Sequence, residues 1–268
     1  MISALFTAQY PIVIQIFAFV FGACIGSFMN VVIFRLPENK SVVFPSSHCP
    51  DCGHPLPFYL NLPILSYLYL KGRCGYCSNS ISIRYPVIEC LTGGLALLLL
   101  YKFNLSLPGL FWFFFGCVLI VVSFIDLDHQ IIPDRISIPG IAIFASSPLF
   151  IPEMSFETVF YGIAAGGGIL YAIALSYYML RKQHGMGGGD IKLLAMIGAA
   201  TGIKGVLFTL FTASVLGTAC GVAFMVFQNK KDSRFKIPFG PFLSLGALIY
   251  IIWGEELIFW YFSLLAAP

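Results

Sequence analysis

FWFFFGCVLIVVSFID, residues 111–126, is the stretch on which the fold turns. A strand of a membrane barrel alternates apolar and polar residues, whereas this run is apolar on every face, a pattern that suits a lipid-facing or fully buried helix. A helix satisfies its backbone hydrogen bonds internally, so the run reads as a spanning α-helix. It ends on a carboxylate, Asp126. An ionisable side chain at the edge of such a helix is costly and therefore marks a functional position.

The same apolar character extends along the chain. Of its 268 residues, 59% are hydrophobic and only 10% charged. The mean hydropathy of +0.90 is far too apolar for an ordinary soluble domain. Runs nearly free of charge recur at 11–34, 107–125, 136–151, 158–180, 205–227 and 237–253, with weaker ones at 87–101 and 191–203. Crossing the hydrocarbon core takes about 20 apolar residues. We therefore expect an all-α polytopic membrane protein with about eight transmembrane helices. The first run lacks the basic leading segment and the cleavage site of a signal peptide, and is expected to be a permanent helix. Lys and Arg are retained on the cytoplasmic side. With the N-terminus outside, the inward connections hold Arg35, Lys40, Lys71, Arg73, Arg84, Arg135, Arg181, Lys182, Lys192, Lys230, Lys231, Arg234 and Lys236, against Lys102 and Lys204 outward. The expected topology has both ends outside and four loops in the cytoplasm.

One connection is large enough to be a small domain, from about 35 to 86. It carries CPDC (Cys49, Cys52) and CGYC (Cys74, Cys77), two CxxC pairs 21 residues apart. Each pair can place two thiolates on one tight turn, and two such turns supply the four tetrahedral sulfurs that Zn²⁺ favours. Two disulfides are the other reading, but the charge count puts the loop in the reducing cytoplasm, where disulfides rarely persist. A four-cysteine site leaves no open coordination position, so the expected zinc is structural, holding a loop otherwise too small to fold. His48 and His54 flank the first pair, yet four cysteines already satisfy the metal.

On the inner half the acids are Glu89, Asp126, Asp128, Asp134 and Asp190, with Lys192 beside the last. Asp126 is the most deeply placed of the three in DLDHQIIPD; Asp128 is nearer water, and Asp134, after Pro133, is expected to cap the next helix. Two carboxylates from different helices in a partly dry site cannot both ionise cheaply, so one keeps a proton. Such a pair can deprotonate a water and protonate a leaving amide nitrogen, which is the chemistry of an aspartic protease. Asp126 and Asp190 suit that pairing. The glycines of GMGGGD, residues 185–190, remove side chains that would block an extended substrate. Paired membrane acids also build proton pathways, so a proton-coupled transporter using the same acids is the alternative. No inverted repeat is visible, which weighs against it.

Six segments in order resemble the type IV prepilin peptidases, bifunctional inner-membrane enzymes of the GxGD aspartic protease class. They are GSFMNVVIFRLP (26–37), the CPDC and CGYC pairs, ISIRYPVIECLTG (81–93), FIDLDHQIIPD (124–134), GMGGGDIKLLAMIGA (185–199) and IPFGPFLSLGA (237–247). The resemblance implies that Asp126 and Asp190 are the catalytic pair and that Gly187 and Gly189 are the glycines of GxGD, with Lys192 in the same motif. Gly26, Ser27, Asn30, Arg35 and Glu89 are its candidates for methylation. It further implies removal of the leader of prepilins and pseudopilins after a glycine, on the cytoplasmic side of a bacterial inner membrane. N-methylation of the new terminal residue would follow, using S-adenosylmethionine. The expected division is a first transmembrane helix (1–34), a cytoplasmic tetracysteine zinc loop (35–86) and a seven-helix bundle with the protease site (87–268). Membrane lipid surrounds it, and nucleic acid is not among its partners.

Overall fold

The computed structural model describes residues 10–183, 187–228 and 238–265. Their order is α1 (Ile12–Arg35), α2 (Leu65–Tyr69), α3 (Arg84–Phe103), α4 (Leu107–His129), α5 (Asp134–Phe144), α6 (Phe156–Arg181), α7 (Gly188–Gln228) and α8 (Gly240–Leu265). The fold is all-α. Six helices among the described residues are long and apolar enough to cross a membrane, namely α1, α3, α4, α6, α7 and α8. The basic residues at 230, 231, 234 and 236, and Gly185 of the glycine motif, lie outside the described residues.

Within the described residues each of the eight apolar runs contributes to a helix, but not to eight helices of spanning length. The run at 136–151 becomes the 11-residue α5, followed by a 3-10 turn over Ser147–Leu149. Eleven residues rise only about 16 Å, half the hydrocarbon thickness. The runs at 191–203 and 205–227 join in the 41-residue α7, broken at Gly202, where φ 69 and ψ −173 are not helical. Unbroken, it would extend about 60 Å, twice what a bilayer core accommodates. Glycine is suited to a break with positive φ. An added Cβ at Gly202 would also lie 2.7 Å from Thr158 Cγ2.

Two compact units divide inside α4, at Val121 and Val122. In the first unit α1 packs on α3 through small residues. A Cβ on Gly22 would lie 2.6 Å from the Thr92 carbonyl oxygen, and one on Gly26 would lie 2.1 Å from Thr92 Oγ1. In the second unit α6 and α7 approach backbone to backbone. A Cβ on Gly162 would sit 2.1 Å from the Gly198 carbonyl oxygen, and one on Gly166 would sit 2.3 Å from that of Leu194. Small residues spaced by four are the usual device for close helix contact in lipid, where no hydrophobic force drives helices together. Packed this way, the first part of α7 forms the core of its unit: Leu193, Leu194, Met196, Ile197, Ala199 and Ala200 have no exposed surface. The segment after Asp190 is thus short because protein surrounds it.

Candidate functional site

Along α4 the side chains Phe115, Leu119, Val122 and Asp126 are all buried, and their spacing of four, three and four places them on one helical face. Asp126 therefore ends the helix on its buried side, with 5% of its surface exposed, while Asp128 is turned outward. Asp190 lies in the first turn of α7 and is partly exposed. Ile132 packs between the two acid-bearing ends: its Cβ lies 2.8 Å from the Cβ position of Gly189, next to Asp190, and its Cδ1 lies 3.3 Å from that of Gly240. Asp126 Oδ2 also accepts the backbone N–H of Gly240, the first residue of α8, at 3.0 Å. Three helices of one unit thus converge on a pair of acids, one sheltered and one open to an incoming chain.

The surrounding motif divides into two roles. A Cβ on Gly189 would come 2.8 Å from Ile132 Cβ, so that glycine permits close packing within the unit. Gly187 is exposed, and its Cβ position lies 3.7 Å from Asp190 Oδ2, so glycine keeps the approach to that carboxylate low. Lys192 Nζ bonds Asp134 Oδ1 at 2.6 Å, joining the starts of α7 and α5. Positions two apart on a helix point to different sides, so Lys192 does not share the face of Asp190. Asp134 is not the expected cap: it is the first residue of α5, Pro133 holds the cap position, and no side chain caps the helix. Sequence reading missed the role of Gly240, although PFGP, a glycine between prolines at a helix start, was a signal for it.

In the other unit, the cysteine loop contains two matching turns. Around the first pair, Cys49 N–H donates to His54 O at 3.0 Å, and Gly53 N–H donates to Cys49 O at 2.9 Å. Shifted by 25 residues (49 to 74), Cys74 N–H donates to Asn79 O at 2.8 Å and Ser78 N–H to Cys74 O at 2.9 Å. Gly53 and Ser78 both have positive φ, 68 and 61, as so tight a turn requires. The four sulfurs lie within 4.8 Å of one another, with 3.8 Å between those of Cys49 and Cys77. Four sulfurs tetrahedral about one ion at ~2.3 Å would stand about 3.8 Å apart. No disulfide joins the described cysteines, and the four sulfurs form a donor set that fits a metal ion.

The five residues that the resemblance makes candidates for methylation are engaged along α1, α3 and the start of this loop. Glu89, buried, accepts the backbone N–H of Ile64 at 2.7 Å and the Ser27 hydroxyl. Asn30 Nδ2 donates to the carbonyls of Gly26 and Tyr85, each at 3.2 Å. Arg35 donates to Ser41 O at 3.1 Å and Pro45 O at 2.8 Å. Gly26 is the close-contact position against Thr92. Together they tie the loop to the helix pair.

Comparison with known proteins agrees with both halves. Residues 20–103 match the bacterial peptidase A24 N-terminal domain, and residues 113–222 the type IV leader peptidase family. A prepilin leader peptidase/N-methyltransferase of Aeromonas salmonicida is 33% identical over 273 residues, covering 91% of this chain and 92% of that protein. Proteins of the same name from Pseudomonas putida and Pseudomonas aeruginosa are 32% and 30% identical, covering 94% of this chain and 95% and 94% of their own lengths. No solved structure matches the chain. A third of the residues shared along nearly the whole of such proteins, with both halves matched in order, is the mark of common descent, and the chain belongs to the type IV leader peptidase family.

Proposed function

We propose that this protein processes type IV prepilins and pseudopilins in two steps, cutting the leader after a glycine and methylating the new N-terminus. The observation that carries the first step is that Asp126 and Asp190, from α4 and α7, lie in one compact unit, with Ile132 packed against both Gly189, beside Asp190, and Gly240, which bonds Asp126. One carboxylate takes a proton from water, which attacks the scissile carbonyl, and the other protonates the departing amide nitrogen. Gly187 leaves room beside Asp190 for the substrate backbone, and Gly189 and the Lys192–Asp134 pair hold the start of α7. The proton-coupled transporter reading finds no support among the relatives.

The second step belongs to the first unit, around Gly26, Ser27, Asn30, Arg35 and Glu89, with S-adenosylmethionine supplying the methyl group when bound. Cys49, Cys52, Cys74 and Cys77 hold a structural Zn²⁺ that keeps the loop folded. By role, the chain divides into a first helix (1–34), the zinc loop (35–86) and the bundle (87–268). Counting α5 with its following turn, and the two parts of α7 on either side of Gly202, gives eight spans in a bacterial inner membrane. Both termini are then periplasmic, and both aspartates face the cytoplasm, where a basic leader is attracted by acidic groups. The test is incubation of the purified protein with a prepilin and S-adenosylmethionine, followed by mass spectrometry. Loss of the leader and gain of one methyl group are expected; an uncut prepilin refutes the reading.

A further inference from the structure

We propose that Gly240 is the positioning residue of the aspartate pair: its backbone N–H holds Asp126 as the ionised member, leaving the shared proton on Asp190. This rests on the peptidase reading above and assigns a role to each acid. Gly240 opens α8, so its N–H is one of the four that a helix leaves without an internal partner. The next residue, Pro241, has no N–H to offer. The free amide of Gly240 donates to Asp126 Oδ2 at 3.0 Å from the positive end of the helix. Each acid has a helix N-terminus beside it, Asp126 that of α8 and Asp190 that of α7, so the hydrogen bond, which favours a charged carboxylate, is what distinguishes Asp126. Among the described residues, Asp190 has no comparable backbone donor. Two neighbouring carboxylates cannot both ionise cheaply, so the proton of the pair stays on Asp190. The other charged side chains at the starts of α5 and α7 are Asp134 and Lys192, bonded to each other, and Arg135; Asp128 and His129 follow Asp126 at the end of α4, and of these all but Lys192 are exposed.

Glycine is required at 240 on steric grounds. A Cβ there would stand 2.7 Å from Asp126 Oδ2, 3.3 Å from its Cγ and 3.3 Å from Ile132 Cδ1. These neighbours are side-chain ends, so an added methyl group displaces the carboxylate and leaves the backbone in place. In the reaction, ionised Asp126 takes a proton from water while the water oxygen bonds to the scissile carbonyl carbon. The carbon–nitrogen bond then breaks, and the nitrogen takes the proton held by Asp190. The pair ends with the proton on Asp126 and the charge on Asp190, and exchange with solvent resets it.

The experiment is the pH profile of kcat/KM for prepilin cleavage by the full chain and by Gly240→Ala. Metal content and methyl transfer to an already cut pilin peptide report that the first unit is intact, and the unfolding midpoint in detergent reports the second. The acid limb follows ionisation of the base in the free enzyme. With the donor displaced, the charged form of Asp126 is less favoured, so the limb moves to higher pH by about one unit, the share of one such bond. Gly240→Ala/Ile132→Ala, which makes room for the methyl group, is expected to return the limb part of the way, and it serves as the measured variant if the single substitution does not accumulate. A fall in rate that is uniform with pH, or a limb that stays in place while methylation is intact, overturns the inference. Failure of the unsubstituted protein to cut prepilin overturns the peptidase reading instead.

Discussion

On the proposed mechanism Asp126 and Asp190 are one residue type given two opposite tasks, accepting a proton and giving one, and only surroundings can separate the roles. Asp126 is buried at the end of α4, and Asp190 is partly exposed at the start of α7. Each is expected to be indispensable for cleavage: Asp126→Asn and Asp190→Asn should each lower the cleavage rate by 10²-fold or more, about the contribution of a positioned acid or base. Methyl transfer to an already cut peptide should continue in both variants, and mass spectrometry of the two reactions checks this. Lys192 gives the contrasting expectation. Its bond to Asp134 lies at the surface, with the side chains 39% and 58% exposed. Exposed ion pairs contribute about 0–1 kcal/mol. Lys192→Gln should therefore hardly change the melting temperature in detergent. That Asp126 is placed more deeply than Asp128 was legible in the sequence, whereas the buried face it occupies was not, because the run before it is apolar all round. The partner of Asp126, Gly240, lies 114 positions away and was legible only as an unassigned glycine between prolines.

Among the elements, the close helix contacts and the cysteine turns are the most exposed to single substitutions. Gly162→Val would drive a side chain into the backbone of α7 at Gly198, where even a Cβ would stand 2.1 Å from the carbonyl oxygen. Overpacking costs typically 1–3 kcal/mol. This variant should fall at or above that range, read as a lowered unfolding midpoint. In the loop, the Cys74 thiol is drawn down to about 7 by the backbone N–H groups of Cys77 and Tyr76. The backbone N–H of Asn79 draws the Cys77 thiol down, but burial and the neighbouring cysteines outweigh it and push it up to about 12. Metal binding displaces thiol protons. Above pH 7 Cys74 is already largely ionised, whereas below it the metal must displace one proton more. Zinc affinity should therefore fall more steeply with acidification below about pH 7 than above it, as measured by competition with a chelator. Cys52→Ser should lose the metal. The CxxC spacing showed this donor set before any coordinates did, since each pair is a local turn. The break in α7 was legible only as a dip between two apolar runs, because a glycine in a helix is common and nothing local says which one has positive φ.

At the scale of the whole molecule, the charge pattern sets the expected orientation. A reporter active only outside the cytoplasm should be active when fused at 104–106 and inactive when fused within 41–57, and the reverse result would invert the topology. The sequence by itself determined that the chain is helical, crosses a membrane and carries a local four-thiol site. Those properties follow from residue composition and from partners a few positions apart. It also singled out Asp126 and Asp190, because a carboxylate stands out against an apolar background. Tertiary structure decided the rest: that six helices among the described residues reach spanning length, that the stretch after Asp190 is enclosed by protein, and that the N–H of Gly240 meets Asp126. The physical reason is distance along the chain. Hydropathy and turn chemistry are written locally, whereas the packing of glycine faces and the aim of a helix end depend on segments many residues apart.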